Sequence, residues 1–319
     1  MKARRLTPNE YPAFGSLAEQ CDSVFCSDLF LSSFDQNTVV RFGIFDDKDV
    51  MMGGFVLMIT RLRGIQALIN PTYAPHCGLF TTGDHEGHGF RKNQFHKDVL
   101  TAVAEALASE SVRIISASLP VYYTDAQPFL WRKFRIQTKF TYRLDLTQSE
   151  EEILNGYDPK LRSVIRKYTS GEIKVDSNLD AQRLITVIGD LNKTKGIRKR
   201  DTITESIAEN YLTQQRGKSI AAIIRQDNDW ASVAFCIRGN NECYYLLGTV
   251  NKAVKLNGAS TLCLHHCIST ARQSGVKVFD FEGSSIPGVE AFFRSFGGEL
   301  IPYFNISRCP LILRPFLKN

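Results

Sequence analysis

The sequence predicts an α+β fold of mixed strands and helices, built from two copies of one unit. In each half of the chain, a helical stretch leads into an apolar strand, an aromatic segment and a closing strand. The aromatic segments, residues 131–134 and 293–296, align aromatic on aromatic and arginine on arginine. A polar hairpin turn also comes early in each half, at residues 46–49 and 226–229. Hairpins followed by a β-α-β crossover predict two mixed, mostly antiparallel sheets, each flanked by helices.

The order of the elements follows from hydrophobic periodicity and turn residues. In the first half we expect helices at residues 9–21, 27–34 and 96–109, and strands at 39–45, 50–61, 64–70, 112–119 and 138–146. Residues 147–215 are expected to form a helical connection. In the second half we expect strands at 219–225, 230–238, 242–249, 276–282 and 300–306, and a helix at 258–273. The predicted domains are therefore 1–146 and 147–319, with a ligand expected in the cleft between the copies.

Composition places the chain among ordinary globular proteins. Hydrophobic residues make up 43% of its 319 residues and charged residues 23%, which excludes a disordered or fibrous chain. No apolar run reaches the ~20 residues that a membrane helix needs, and no apolar signal-peptide segment follows the basic start. These features predict a cytoplasmic protein. The net charge of +6 allows a phosphate-bearing or nucleic-acid partner without requiring one.

Motifs of several common enzyme classes are missing from the sequence. There is no Gly-x-Gly-x-x-Gly, no Walker A sequence and no nucleophile elbow, which disfavours a dehydrogenase, an ATPase and a serine hydrolase. The eight cysteines include no Cys-x-x-Cys pair and are expected to be reduced. Cys263 and Cys267 fit the apolar pattern of their helix, and His85 and His88 lie among glycines. We therefore expect no metal site.

Two acidic residues stand at the end of an apolar strand, in the sequence Val278-Phe-Asp-Phe-Glu-Gly-Ser284. Strand alternation predicts that Asp280, Glu282 and Ser284 share one face. A buried carboxylate is costly unless it is solvated, paired or functional. Acylation of an amine requires the loss of a proton from the attacking ammonium, so Glu282 and Asp280 are candidate general bases. The alternative is a structural cap, in which Glu282 and Ser284 bond to the next loop.

The sequence Asn257-Gly258-Ala259-Ser260 opens the helix that follows strand 242–249. A helix N-terminus can bind phosphate, and glycine lets the backbone approach a ligand closely. Simple helix capping is an equal alternative. On the preceding strand, Tyr244 and Tyr245 face opposite sides, so one is expected in the core and the other in the cleft, where it can donate its hydroxyl to a leaving group. Strand alternation does not show which tyrosine faces the cleft, and we take Tyr245 as the candidate proton donor.

Two basic segments lie in the connection between the copies. Arg162, Arg166 and Lys167 share part of one helical surface, where a phosphate or carboxylate would relieve their mutual repulsion. Residues 193–200 form a denser basic run that could guide RNA or an acidic substrate. A solvated surface is the alternative in both cases, and it is favoured in both, more strongly for residues 193–200.

Three segments of the second half resemble the GNAT acyltransferase superfamily: residues 244–260, 278–284 and 292–298. Within it, the chain is similar to the tandem branch that includes the Fem peptidoglycan aminoacyltransferases. The basic helix at residues 160–167 resembles the helix that opens the second domain in that branch. The resemblance covers most of the chain, and residues 216–319 are the better-matched copy.

The resemblance implies a site at two neighbouring parallel strands that diverge, so that main-chain N–H groups in the gap meet the carbonyl of an acyl donor. It implies that Leu247, Gly248, Lys255, Asn257, Gly258, Ala259 and Ser260 contact the donor. We expect Tyr73, Ser284 and Arg294, with the basic helix, to contact the substrates. The aromatic side chains at 129, 131, 134, 292, 293 and 296 are expected to be core anchors.

The sequence departs from the pattern at the pyrophosphate loop, Gln/Arg-x-x-Gly-x-Gly/Ala. Lys255-Leu-Asn-Gly258 keeps one glycine and only a nearby lysine. Acyl-CoA and aminoacyl-tRNA therefore both stay open as donors, and no tightly bound cofactor is expected. The leading hypothesis is an acyltransferase that joins an acyl or aminoacyl group to an amine, such as that of a cell-wall precursor, by direct attack. The alternatives are a degenerate tandem GNAT protein that binds an anionic ligand, and an RNA-binding protein.

Overall fold

A computed structural model describes residues 1–83, 89–168, 173–177, 179–194, 202–224, 230–251, 253–254 and 258–309. The chain divides into two compact units. Unit 1 consists of Met1–Lys139 and the chain from Pro302 onward, and unit 2 is Phe140–Ile301. The units do not coincide with the predicted domains 1–146 and 147–319, because residues 140–146 pack in unit 2 and the strand residues after 301 pack in unit 1.

Unit 1 is a sheet with a long helix on its core face. Its strands are β1 (Lys2–Arg5), β2 (Val39–Phe45), β3 (Met51–Leu62), β4 (Ile65–Ile69), β5 (Phe80–Thr81) and β6 (Ile114–Ser118), and its helices are α1 (Tyr11–Gln20), α2 (Asp28–Leu31), α3 (Phe90–Ser109) and α4 (Gln127–Trp131). Short 3-10 helices lie at Pro8–Glu10 and Val24–Cys26. The β2–β3–β4 meander is antiparallel, and β6 pairs with β4 in parallel across the α3 crossover. This is the predicted order of hairpins and crossover.

The core of unit 1 lies between the sheet and α3. Phe42 and Phe55 stack with ring centroids 4.6 Å apart, and apolar residues of α3 such as Val103 are fully buried. Phe129 and Phe134 are buried as expected. Trp131, however, is 63% exposed, so the prediction that it anchors the core was wrong. It is the last residue of the single-turn helix α4 and points outward, with the Lys97 ammonium 4.9 Å from its ring.

Unit 2 repeats this arrangement. Its elements are β7 (Arg135–Asp145, of which residues 140–145 belong here), α5 (Glu150–Gly156), α6 (Pro159–Tyr168), β8 (Ile173–Asp176), α7 (Ala181–Thr194), α8 (Thr202–Thr213), β9 (Gly217–Ile224), β10 (Trp230–Arg238), β11 (Glu242–Val250), α9 (Ala259–Gln273), β12 (Val278–Asp280) and α10 (Pro287–Arg294). A capping box opens α5, with Ser149 and Glu152 bonding each other's backbone. The connection 147–215 was expected to be helical. It also contains a strand, because residues 173–176 pair with β9.

The strand order in unit 2 is β7-β12-β11-β10-β9-β8. Strands β9, β10 and β11 form an antiparallel meander, and β12 pairs with β11 in parallel after the α9 crossover. Helix α9 and the aromatic residues Phe293 and Phe296 cover one face of this sheet and form the core with Phe279 and Phe281. Unit 1 has the same succession of meander, crossover and parallel strand, which confirms the tandem architecture.

The closing strands differ from the prediction. Residues 138–146 were expected to close the first copy and residues 300–306 the second. Instead, Asp280 of β12 pairs with Arg143 of β7 inside unit 2. The last strand, β13 (Glu299–Arg308), pairs with β6 inside unit 1, Asn305 opposite Ser118. The strand that follows the first copy in the sequence thus pairs in unit 2, and the strand that follows the second copy pairs in unit 1.

Some predictions concern positions outside the described residues. These are the histidines at 85 and 88, the basic residues 195–200, the turn at 226–229, and Lys255 and Asn257. Among the described residues, no helix is both long enough and apolar enough to cross a membrane.

Candidate active site

Two parallel strands of unit 2 are paired at one end only. The register joins Glu242 to Val278, Cys243 to Phe279 and Tyr244 to Asp280. Strand β12 ends there, whereas β11 continues for six more residues, to Val250. The two strands are therefore neighbours that part, as the resemblance implies. The second half of β11 borders a gap on the side where β12 has ended.

A bulge in β11 lies where the strands part. Phe235 of β10 pairs with Leu247, but the next residue, Cys236, pairs with Tyr245, so Leu246 is an extra residue in β11. A bulge bends its strand and increases the local twist. The bulge lies two residues after Tyr244, the last residue of β11 that pairs with β12.

Main-chain N–H groups of β11 point into this gap. The Asn251 N–H donates to the carbonyl of Ala231. The two residues of β10 that follow Ala231 pair with Val250 and Thr249 in turn. In an antiparallel pair, residues that bond to the partner strand alternate with residues that do not. Thr249 therefore faces β10, and the N–H groups of Gly248 and Val250 face the other side. This is the kind of donor that a carbonyl oxygen needs in the gap.

Tyr245 borders the same half of β11. Its hydroxyl lies only 1.6 Å from where a Cβ on Gly248 would stand, so Gly248 must lack a side chain. The Tyr245 ring packs edge-on against Phe293, with centroids 5.7 Å apart, and burial raises the pKa of its hydroxyl. Tyr244 faces the opposite side of the sheet and donates to Glu242. The two tyrosines thus face opposite sides as predicted, and Tyr245 is the one beside Gly248.

The first turn of α9 lies at the same end of the sheet as the gap. The Ser260 hydroxyl is 3.2 Å from that of Ser232, which donates to the Thr249 carbonyl at 2.9 Å. Gly258, with φ of 96°, is the N-cap and Ala259 is the first helical residue. The first N–H groups of an α-helix have no partner within the helix, so they are available to an anion. Gly258, Ala259 and Ser260 are therefore placed to hold a phosphate group near the gap.

A row of polar side chains crosses the other face of the sheet. Arg143 of β7 pairs with Asp280 of β12, and Asp280 pairs with Tyr244 of β11, so the three side chains share one face. The guanidinium of Arg143 contacts Glu242, and its Nε lies 3.4 Å from Asp280 Oδ2. The side chains of Arg143 and Asp280 are 9% and 8% exposed. One buried cation thus faces two buried carboxyls, an arrangement that sequence analysis missed.

Asp280 is fully engaged, whereas Glu282 is not. Asp280 Oδ1 accepts hydrogen bonds from the Thr141 hydroxyl at 2.6 Å and from the Glu282 N–H at 2.8 Å. Burial raises the pKa of Asp280, and the Arg143 charge opposes this rise. The Oε1 atom of Glu282 is buried and has no hydrogen-bond partner among the described residues. Burial and the nearby Asp280 raise the pKa of Glu282 well above its usual value.

The expected common face of Asp280, Glu282 and Ser284 does not form. The strand ends at Asp280, and Glu282 and Gly283 have φ of 59° and 70°, so the alternation stops. The turn is tight, since a Cβ on Gly283 would stand 2.0 Å from the Phe140 carbonyl oxygen. Ser284 Oγ accepts the Ile286 N–H at the start of α10. For Ser284, this is the structural cap that the sequence offered as an alternative to a functional role.

The remaining predicted substrate residues are placed as follows. Arg162, Arg166 and Lys167 lie on α6, which packs against α9 through its apolar side, and Arg162 contacts Asn155 at 3.5 Å. Arg294 is 64% exposed and pairs with Glu290 within α10. Tyr73 belongs to unit 1, in a turn where its φ is 66°.

No described group of three or more His, Cys, Asp or Glu side chains could hold a metal ion. Cys263 and Cys267 are buried in the core of unit 2, as their helical pattern predicted. The Cys263 thiol donates to the Ser232 carbonyl at 3.4 Å. These cysteines are packing residues of the core.

The fold is of the GNAT type, as one sequence match and several solved structures indicate. Residues 158–294 match the family model of the acetyltransferase (GNAT) domain. The matched segment lies within unit 2, and the tandem structures below are similar to the chain in fold.

Three solved structures are similar to nearly the whole chain. FemX matches with a TM-score of 0.66 at 12% identity, covering 95% of this chain and 97% of its own. A tandem GNAT protein from the clavulanic acid biosynthesis pathway matches with a TM-score of 0.57 at 10% identity, covering 96% and 97%. The L-PGS of Bacillus licheniformis matches with a TM-score of 0.56 at 10% identity, covering 98% and 96%. At such identities the likeness shows the fold. No curated protein matches the sequence.

Proposed function

We propose that the protein transfers an acyl or aminoacyl group to an amine by direct attack. The proposal rests on the parting of β11 from β12. This parting leaves the N–H groups of Gly248 and Val250 facing a gap between the two strands. Donors fixed in advance stabilise the negative charge that develops on a carbonyl oxygen during acyl transfer. The site needs no nucleophile triad, because holding the two substrates together supplies much of the rate enhancement.

The proposed reaction uses three groups of the chain. The attacking amine forms a C–N bond to the donor carbonyl carbon, and Glu282 takes the proton that the ammonium loses. The N–H groups of β11 hold the carbonyl oxygen while it carries negative charge. When the bond from carbon to the leaving group breaks, Tyr245 gives its proton to the departing sulfur or oxygen and takes up the second proton that the amine nitrogen loses. The raised pKa of Glu282 makes its carboxylate a stronger base than an ordinary glutamate.

The donor is proposed to bind its phosphate groups at the start of α9. Gly258, Ala259 and Ser260 present the free end of the helix beside the last residues of β11. Acyl-CoA and aminoacyl-tRNA both combine a phosphate with an activated carbonyl, and both fit this chemistry. The basic face of α6 is a proposed contact for the same charged groups. The acceptor is an amine, for which a cell-wall precursor is one candidate, and we propose that the reaction takes place in the cytoplasm.

A melting experiment tests donor binding and separates the two donors. Acetyl-CoA at 100 times its Kd should stabilise the folded chain by about 2.7 kcal/mol, and Gly258→Ala should reduce this gain. Gly275→Ala is the matched control, because Gly275 also has positive φ but lies after the other end of α9. A shift with aminoacyl-tRNA alone would assign the tRNA donor. A chain that responds to neither would contradict the proposal and favour a degenerate binding protein.

A further inference from the structure

Asp280 touches the backbone that carries Glu282. It is the last residue of β12, and the pairing of β12 with β7 and β11 fixes the direction of its side chain. Its Oδ1 accepts the Glu282 N–H at 2.8 Å and the Thr141 hydroxyl at 2.6 Å. Its Oδ2 faces the Nε of Arg143 at 3.4 Å. The carboxylate is therefore anchored to a neighbouring strand and holds the first residue of the turn.

Glu282 needs such an anchor because its backbone is in a strained conformation. Its φ of 59° lies in the left-handed region, which is unfavourable for a residue other than glycine. On one side, the Phe281 N–H donates to the Tyr142 carbonyl at 3.0 Å. On the other side, Gly283 packs against the Phe140 carbonyl. Between these two contacts, the bond to Asp280 is the hydrogen bond that holds the Glu282 amide itself.

The charges around Glu282 are arranged so that Asp280 acts on it. The charged and titratable groups on the surrounding elements include Asp280 on β12, Tyr142 and Arg143 on β7, Glu242, Cys243, Tyr244 and Tyr245 on β11, and Glu290 and Arg294 on α10. Arg294 pairs with Glu290 at 3.1 Å, and Glu242 contacts Arg143. Arg143 stabilises the charged form of Asp280, and two adjacent carboxyls resist ionising together. Asp280 therefore ionises first, and Glu282, which has no cationic partner among the described residues, ionises at higher pH and is then the stronger base.

We propose that Asp280 is a positioning residue for Glu282, which fixes the left-handed turn through the Glu282 amide and sets the basicity of the carboxyl through its own charge. The inference rests on the proposed function, in which Glu282 accepts the proton of the amine. It changes the role of Asp280 from a candidate base to the residue that prepares the base. Both tasks come from one side chain, so two substitutions can separate them.

Two variants of Asp280 separate its charge from its hydrogen bond. Asp280→Asn keeps an oxygen for the Glu282 N–H and removes the charge, so the pKa of Glu282 and the acid limb of the pH–rate profile should both move to lower pH. Asp280→Ala removes the hydrogen bond as well and should lower kcat by roughly 10²-fold, the effect of a small misplacement of a reacting group. A purely structural role would lower kcat without moving the acid limb, and that result would overturn the proposal.

A measurement of the Glu282 carboxyl makes the test independent of turnover. Its carbon-13 NMR signal, assigned by its loss in Glu282→Gln, should titrate at lower pH in Asp280→Asn than in the wild type. An unchanged titration contradicts the proposal even if the enzyme is active. A lowered titration in a chain without acyltransferase activity would refute the proposed function and leave the action of Asp280 on Glu282 intact.

A measurement on the wild type covers the case in which the variants do not fold. The Glu282 amide proton donates to Asp280 Oδ1, so its chemical shift should follow the titration of Asp280. The amide of Phe281, which donates to a main-chain carbonyl, is the internal control and should follow it much less. A Glu282 amide signal that stays constant through this titration would overturn the proposal.

Discussion

Glu282→Gln is expected to lower kcat/KM for acyl transfer by about 10²–10⁴-fold, the usual contribution of a general base. The glutamine keeps the shape of the side chain but cannot accept the proton of the ammonium. Donor binding should be unchanged, because the donor contacts proposed here lie on β11 and α9. The measurement is kcat/KM across the pH range, in which the variant should also lose the acid limb of the wild type.

The same substitution should change how stability depends on pH. The pKa of Glu282 is raised in the folded chain, so the folded state holds a proton that the unfolded state releases. The free energy of unfolding therefore falls as pH rises from the unfolded toward the folded pKa, by about 1.4 kcal/mol for each unit between the two. Glu282→Gln removes this loss, so its melting temperature should fall less than that of the wild type between pH 5 and pH 9.

Glu290→Gln is the matched control for both readouts. Glu290 lies on α10, accepts the Tyr142 hydroxyl at 2.6 Å and pairs with Arg294 at its partly exposed surface. It should leave the rate close to that of the wild type. Equal losses of rate in the two variants, or full activity in Glu282→Gln, would remove Glu282 from the role of base.

Arg143→Met is expected to produce the largest loss of stability in unit 2, about 3–5 kcal/mol, because it leaves buried carboxyls without their cation. Glu242 and Asp280 both face Arg143, and all three side chains are at most 14% exposed. Hydrogen exchange of the amides of β12 measures the loss within this unit. The loss should be greater at high pH, where both carboxyls carry charge, and smaller at low pH, where protonation relieves it.

The exposed arginine of α10 provides the control for this prediction. Arg294 is 64% exposed and pairs with Glu290 one turn away. Exposed pairs of this kind contribute about 0.2–1 kcal/mol, so Arg294→Met should leave the exchange of β12 nearly unchanged. A loss in Arg143→Met that is no larger than in Arg294→Met, or that does not vary with pH, would contradict the account of the buried row.

Local patterns in the sequence were sufficient to predict the repeated part of the fold. Alternation and turn residues predicted the β9–β10–β11 meander, and the apolar pattern of Gly258 to Gln273 predicted α9 and the burial of Cys263 and Cys267. These signals act over one element and its neighbours in the chain. The exchange of the closing strands could not be predicted in this way, because residues 140–145 and 302–308 fit either sheet equally well by pattern.

The candidate site likewise contains residues that local sequence patterns indicate and others that depend on strand pairing. Glu282 and the start of α9 were singled out because each follows an apolar strand, and Tyr245 because it lies on strand β11. Arg143 was missed, although it interrupts the apolar run Tyr142, Leu144 and Leu146, since its meaning depends on the register of three strands. The prediction that Glu282 shares a strand face with Asp280 was wrong, because strand alternation does not predict the left-handed turn that Asp280 and Gly283 hold.

The most direct test of the central claim follows the main-chain amides of β11 during donor binding. The ligand is an acyl-CoA analogue with a methylene group in place of sulfur, or an aminoacyl-tRNA with an amide linkage if tRNA is the donor. The donor without its acyl group is the control ligand. Amide exchange at Gly248 or Val250 should slow with the acyl-bearing ligand and not with the control, while Thr249, which already faces β10, should not respond. A bound acyl donor that leaves both Gly248 and Val250 unprotected would contradict the account.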